Sequence, residues 1–240
     1  MTDNYDVQVQ EKRHMLPDEW IDRWKDGKIG FHQDTVHELL KKYLEKILNG
    51  RKGIRFFFPL CGKAVDMKWL ADMGHTVFGV DVCEIGIKDF FSEQNIPYTE
   101  EPVGTIPEAK LFKSTDGKIF LYNCNLYDFS SSVVGRFDGI WDRGSMVAIN
   151  PCDRQRYAAL IISLMDTDCR YLLDTFLYNP NLYSGPPFFV PDETLQDLFG
   201  EMCSIQLLDS VDALSEKQTN WGIDFLTEKV HLLTLKKSLS

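Results

Sequence analysis

The stretch from residue 53 to residue 81, GIRFFFPLCGKAVDMKWLADMGHTVFGVD, limits the folds open to this chain more than any other. Its two apolar runs, IRFFF and TVFGVD, are short and nearly unbroken, the pattern of strands buried on both faces. Between them lies room for one helix, so the segment reads as strand, tight turn, helix and parallel strand. The turn from Pro59 to Gly62 contains one glycine where a dinucleotide-binding turn uses three. The second run ends on Asp81, 19 residues beyond Gly62, the placement of an acid that hydrogen-bonds both hydroxyls of a ribose. The same spacing also describes a plain strand-to-helix turn followed by an incidental surface acid.

The alternation continues in both directions. Downstream, a helical pattern in EIGIKDFFSEQN precedes strand-like runs at KIFLYNCN, FDGIWDR and CRYLLDTFLYN, with Asp116-Gly117 as a hairpin tip before the first of them. Upstream, LPDEWIDRWKDG predicts a helix entered at Pro17, with Asp18 and Glu19 at its positive end and Trp20 and Trp24 on one face. DTVHELLKKYLEKILNG predicts a second helix that packs on a sheet and closes on Asn49 and Gly50. A helix from about Lys63 joins the first two strands, and another lies near DETLQDLFG. The last two runs, CSIQLLDSVDAL and GIDFLTEKVHLLTLKK, have no long helix between them and are expected to pair antiparallel.

A parallel α/β core that ends in an antiparallel hairpin is the layout of the class I S-adenosylmethionine-dependent methyltransferase (Rossmann-like) fold more than of a dehydrogenase. The expectation is a mostly parallel seven-stranded sheet with an antiparallel C-terminal hairpin. Residues 1–15 lack apolar periodicity and are expected to form a mobile tail. Residues 16–240 are expected to form a single domain with N-terminal lid helices, since 240 residues do not require a second core.

Composition narrows the partners. The net charge of −10 and the absence of a basic stripe argue against nucleic acid. No apolar run reaches the roughly 20 residues of a membrane helix, and the polar, acidic N-terminus is unlike a secretory signal, so a cytoplasmic protein is expected. The six cysteines are scattered singly and read as reduced thiols, mostly buried. His37 has no second histidine at helical spacing, and no residue set is assigned to a metal. No coiled-coil pattern or apolar dimer helix stands out, so a monomer is expected.

In open α/β sheets ligands bind beyond the carboxyl ends of the strands, so the turns after IRFFFP, TVFGVD, NCN and IWDR should line one crevice. Pyrophosphate needs close backbone approach and several free N–H groups, whereas S-adenosylmethionine carries no phosphate and presents only an amino acid tail, for which one glycine suffices. Asn125 and Leu126 stand where an amide and an apolar face bracket an adenine ring, or where a polar loop simply ends. Trp141, Asp142 and Arg143 put charge at the mouth of the crevice, or form a surface ion pair. SGPPFFVP is expected to be a rigid loop lining the pocket.

Taken in order, WIDRWKDGKIGFHQ, RFFFPLCGKAVDMKWLADMGHTVFGVD, FDGIWDRGSMVAINPCDRQRYA, GPPFFVP and NWGIDFLTEKVHLLT closely resemble the animal thiopurine S-methyltransferase family, from about Asp18 to about Thr234. The resemblance implies an S-methyltransferase that acts on aromatic and heterocyclic thiols such as thiopurines, turning S-adenosyl-L-methionine into S-adenosyl-L-homocysteine. It implies a lid over residues 20–31, cofactor contacts at Trp20, Trp24, Phe31, Leu60, Gly62, Asp81, Asn125, Leu126 and Arg143, and substrate contacts at Phe31, Arg143 and Lys217. The family's enzyme carries serine and isoleucine where Asn125 and Leu126 stand, and arginine where Lys217 stands. The last difference keeps the charge but loses a planar fork.

Chemically, in-line transfer to a thiolate needs positioning more than a base, since an aromatic thiol ionises readily. Arg143 is therefore expected to stabilise the anionic heterocycle, with Asp142 orienting Arg143 and Phe31 holding the ring. Two other readings stand beside this one. An NAD-dependent oxidoreductase shares the strand, turn and ribose acid but wants more glycines, and a binding module on a methyltransferase scaffold would have a dead site, which the intact lid residues and WDRG argue against.

Overall fold

The computed structural model describes Gln10 and residues 13–237, apart from the side chain of Lys217. The chain forms two compact units. The larger comprises Leu16–Trp141 and Ser163–Tyr171, and the smaller comprises Asp142–Ile162 and residues 172–237 together with Gln10 and residues 13–15.

The larger unit begins with helix α1 (Pro17–Lys25) and helix α2 (Glu38–Leu48). Pro17 opens α1, and the Leu16 N–H is satisfied by the Glu19 carboxylate at 2.8 Å. α2 buries Leu39, Leu40, Leu44, Ile47 and Leu48 on one side and ends as the sequence predicts, on Asn49 in the left-handed region with φ 50°. It starts four residues later than Asp34, because His37 stays extended and gives its N–H to Asp66 Oδ1 at 2.8 Å.

Strand β1 (Arg55–Pro59), helix α3 (Asp66–Asp72) and strand β2 (Thr76–Asp81) form the predicted crossover, with Phe57 opposite Phe78 in a parallel register. Helix α4 (Glu84–Glu93) follows, then strands β3 (Tyr98–Pro102), β4 (Lys110–Ser114) and β5 (Ile119–Asn123). A four-residue helix, α5 (Ser131–Val134), leads into β6 (Phe137–Asp142). The strand order in this unit is β3-β4-β5-β2-β1-β6, followed by the first half of β7 (Met165–Leu177).

β5, β2, β1 and β6 run parallel, and β3 and β4 extend the edge antiparallel. The hairpin at Asp116-Gly117 is present, with Gly117 at φ 70°. Strand β3 went unread in the sequence because YTEEP is largely exposed and carries no apolar alternation. Among the described residues the strands therefore number nine, the expected seven plus this antiparallel edge pair.

Aromatic packing sets the core of this unit. Phe57 stacks on Phe137 at 4.8 Å and on Phe129 at 5.4 Å, and Phe78 stacks on Phe120 at 4.9 Å. Gly139 is required by the approach of α2, since a Cβ there would stand 2.7 Å from Ile47 Cγ2.

The smaller unit holds most of helix α6 (Arg154–Leu164), the second half of β7, helix α7 (Asp192–Phe199), strand β8 (Cys203–Asp212), the short helix α8 (Glu216–Thr219) and strand β9 (Thr227–Leu235). Its strand order is β7-β9-β8, and β8 and β9 form the expected antiparallel hairpin, with a bulge between Leu207 and Asp209. Within the segment expected to be mobile, Gln10 and Met15 are buried, and Met15 exchanges two hydrogen bonds with Asn150. The rest of that segment before residue 13 lies outside the described residues. All six cysteines are free thiols, four of them buried, as expected.

Candidate active site

Asp81 is the centre of the site in the larger unit. It is buried at the end of β2, and its two carboxylate oxygens accept backbone N–H groups from opposite sides: Gly62 at 2.9 Å on Oδ2 and Cys83 at 2.8 Å on Oδ1. The acid thereby ties the β1-to-α3 turn to the β2-to-α4 turn. Burial pushes its carboxyl up to about 6, against the pull of these two N–H groups. Each carboxylate oxygen still has a lone pair to offer, so both remain able to accept from a ligand's hydroxyls.

The turn that carries Gly62 is locally strained. Leu60 adopts φ 43° and Gly62 φ 47°, so a branched side chain and a glycine both occupy the left-handed region within three residues. Trp24, buried on α1, lies over this turn. A Cβ on Gly62 would stand 3.0 Å from its indole, and a Cβ on Gly86, in the first turn of α4, would stand 2.9 Å from it. Two glycines thus form the floor on which the ring rests, and Gly86 is a site residue that the sequence reading did not single out.

Phe31 completes an aromatic cluster, edge-on to Trp20 at 6.0 Å and to Trp24 at 5.7 Å, and keeps 38% of its surface exposed. The structure therefore brings Trp20, Trp24 and Phe31 together. Substitution of Gly86 by alanine should push the Trp24 ring off its floor. The expected result is a red-shifted tryptophan emission and an S-adenosylhomocysteine affinity at least tenfold weaker, with the fold retained by circular dichroism; an unchanged spectrum would show that Trp24 does not depend on this glycine.

At the next strand end, Asn123 Nδ2 donates to Asp81 O at 3.1 Å and to Val82 O at 2.9 Å, and the Cys124 N–H reaches Asp81 O. Asn123 holds the ends of β5 and β2 together, a role invisible in a single sequence because it depends on strand order. Asn125 caps the short 3-10 turn Leu126–Asp128, its Oδ1 accepting from the Tyr127 N–H at 2.9 Å, while Leu126 is buried.

In the smaller unit, Asp142 is fully buried at the end of β6. Its Oδ1 accepts the Met146 N–H at 3.0 Å and its Oδ2 accepts the Tyr157 hydroxyl at 2.5 Å. Between these anchors the chain turns through Arg143 and Gly144, the latter at φ 81°. The carboxylate thus fixes the turn that presents Arg143, and Tyr157, on α6, fixes the carboxylate. Removal of that hydroxyl in Tyr157→Phe leaves one oxygen of a buried carboxylate short of a donor, at a cost of about 1–3 kcal/mol. The expected drop in melting temperature is roughly 2–12 °C for a chain of this size, read by calorimetry.

Arg143 also acts on Asp174, a buried β7 carboxyl. Burial and the neighbouring Glu228 push Asp174 well above its ordinary value, and Arg143 pulls it back. Lys217 falls within α8, and its side chain lies outside the described residues. Three hydrogen bonds tie the SGPPFFVP segment to its surroundings: Tyr178 Oη donates to Pro187 O at 2.6 Å, Phe188 N to Val147 O at 2.6 Å and Val190 N to Phe176 O at 3.1 Å.

Comparison with known proteins gives the family. Residues 15–236 match the family described as Thiopurine S-methyltransferase (TPMT). A probable thiopurine S-methyltransferase of Danio rerio is 61% identical over 230 residues, covering 96% of this chain and 99% of its own. Thiopurine S-methyltransferase of Oryctolagus cuniculus is 52% identical over 231 residues, covering 96% and 94%.

Among solved structures, a SAM-dependent methyltransferase of Anabaena variabilis superposes with a TM-score of 0.63 at 11% identity, over 93% of this chain and 96% of that one. The 1,6-didemethyltoxoflavin-N1-methyltransferase of Burkholderia thailandensis, solved with S-adenosylhomocysteine, gives 0.60 at 16% identity, over 91% and 87%. At such identities the likeness speaks for the fold, which is that of the S-adenosylmethionine-dependent methyltransferases. No described helix is long and apolar enough to cross a membrane.

Proposed function

The chain belongs to the thiopurine S-methyltransferase family, and from that premise we propose that it moves the methyl group of S-adenosylmethionine to the sulfur of aromatic and heterocyclic thiols such as thiopurines. The observation that carries the reading is Asp81, held by two backbone N–H groups with acceptor capacity to spare, beside an aromatic cluster resting on two glycines. These residues fit an adenosyl cofactor: a carboxylate for the ribose hydroxyls and a single-glycine turn that need not cradle a phosphate. When bound, S-adenosylmethionine supplies an electrophilic methyl on a sulfonium, which a thiolate takes by in-line displacement.

The remaining roles fall to this chain's own side chains. Asp81 binds the ribose, and Leu60 and Gly62 shape the turn that meets the amino acid tail. Asn125 and Leu126 bracket the adenine. Trp20, Trp24 and Phe31 cover the cofactor and exclude water, with Phe31 offering its exposed face to the substrate ring. Arg143 attracts the anionic heterocycle, and Asp142 sets its direction through the turn it anchors. At Lys217 a lysine stands where the family has arginine, which keeps the positive charge without the fork of a guanidinium. The net charge of −10 suits a small neutral or singly charged substrate better than a polyanion, and the enzyme is proposed to act as a cytoplasmic monomer.

Purified protein incubated with S-adenosylmethionine and 6-mercaptopurine should yield the S-methylated purine and S-adenosylhomocysteine in equal amounts by mass spectrometry. Folded protein that yields neither product, with this thiol or with simple aromatic thiols, would sink the proposal.

A further inference from the structure

In the smaller unit three side chains of different chemistry converge: His14 Nδ1, Cys152 Sγ and a carboxylate oxygen of Asp153 all lie within 4.8 Å of one another. The sulfur and the imidazole nitrogen are 3.7 Å apart, across 138 residues of chain. No spacing in the sequence announces the group, because only packing brings His14 to the other two. His14 and Cys152 are exposed and Asp153 is half-buried, so an ion from solvent can reach them.

The chain beneath these groups is pinned. Cys152 and Asp153 are successive residues of the 3-10 turn Pro151–Asp153, which the buried Asn150 precedes. Asn150 Oδ1 accepts the Met15 N–H at 2.8 Å and its Nδ2 donates to Met15 O at 3.1 Å, which fixes the residue next to His14. The same Nδ2 donates to Asp153 Oδ2 at 3.1 Å. One amide thus holds both the carboxylate and the segment that carries the imidazole, the part an outer-shell partner plays in a metal site.

The separations suit a tetrahedral ion. Zinc–nitrogen and zinc–sulfur bonds of about 2.05 and 2.3 Å at the tetrahedral angle put those two ligand atoms about 3.6 Å apart, against the 3.7 Å seen. A thiolate and an imidazole select zinc over magnesium or calcium, which take oxygen ligands, and three protein ligands leave a fourth position to water. A hydrogen bond between thiol and imidazole would account for their approach but gives the carboxylate no part. We propose that His14, Cys152 and Asp153 form a zinc site that clasps residues 14–15 to the turn before α6. On binding, zinc displaces the thiol proton to solvent, the imidazole binds neutral through Nδ1, and no electron moves. The site shares no residue with those assigned to the cofactor or the thiol.

The test is calorimetric titration of the reduced full chain with zinc chloride, with magnesium chloride as the control. Zinc should bind one to one and magnesium should not bind. Cobalt(II) in place of zinc should show thiolate-to-metal charge-transfer absorption, and Cys152→Ser should remove it. His14→Gln, Cys152→Ser and Asp153→Asn should each weaken zinc by at least about tenfold, the loss expected even for an outer-shell partner, with circular dichroism unchanged. Absence of one-to-one zinc binding in the parent, or magnesium binding of equal strength, would overturn the proposal. Zinc affinity retained in any one of the three variants would overturn it as well, since the site needs all three ligands. No readout involves methyl transfer, so failure here is distinguishable from failure of the proposed enzyme activity.

Discussion

Asp81→Asn should weaken S-adenosylhomocysteine binding by about 100-fold in a calorimetric titration. The carboxylate accepts a backbone N–H on each oxygen. An asparagine has one oxygen, so its NH₂ must face either the Gly62 or the Cys83 N–H, donor against donor. The turn that forms the site then loses one anchor, and the ribose hydroxyls lose an ionised acceptor. Hydrogen bonds to charged groups contribute about 1.5–3 kcal/mol each, which places the loss in the range of about two to four decades of affinity for two of them. Binding within threefold of the parent would remove Asp81 from the cofactor site.

The same residue sets a pH dependence whose sign follows from its shift. In the folded chain the carboxyl titrates near 6, above its ordinary value of 3.8, because burial disfavours the charge. Between those values the folded state binds the extra proton, so the contribution of Asp81 to stability is present at low pH and is lost as pH rises through about 6. The span corresponds to a change on the order of 3 kcal/mol. Ligand hydroxyls prefer the ionised carboxylate, so S-adenosylhomocysteine affinity should move the other way and fall as pH is lowered through about 6. Asp81→Asn should flatten both trends.

The second large effect is expected at Arg143. Arg143→Ala should lower kcat/KM for an ionised heterocyclic thiol by 10²–10³, about 3–4 kcal/mol of lost stabilisation, while S-adenosylhomocysteine affinity changes less than fivefold. The turn carrying Arg143 is held from outside the guanidinium, by Asp142 through Tyr157 and the Met146 N–H. The alanine variant should therefore keep this turn, while Asp174 loses the charge that pulls its carboxyl back. Arg143→Lys should recover part of the rate, since a point charge attracts an anion but does not grip a planar ring. Equal losses of turnover and of S-adenosylhomocysteine affinity would reassign Arg143 to the cofactor.

How much of this was legible in the sequence differs from element to element. The β1-α3-β2 unit, the helix ending on Asn49 and the hairpin at Asp116-Gly117 follow from apolar period and turn chemistry, which act locally. Asp81 was legible because its spacing from Gly62 is set by one strand, one helix and one strand. The edge strand β3 was not, since its residues face solvent and leave no pattern. Gly86 and Asn123 were not, because their neighbours, Trp24 and the carbonyls after β2, are brought to them by packing and strand order.

Asp142 shows the division within one residue. Its place in WDRG marks it for the mouth of the crevice, but the partner that holds it, Tyr157, lies 15 residues away on a helix whose position no local pattern specifies. By itself, then, the sequence determined the alternation of strands and helices, the acid that closes β2 and the family, because these depend on residues close along the chain. Only the tertiary structure decided which side chains anchor the turns and where the aromatic cluster rests, because both depend on groups that meet only when distant segments pack.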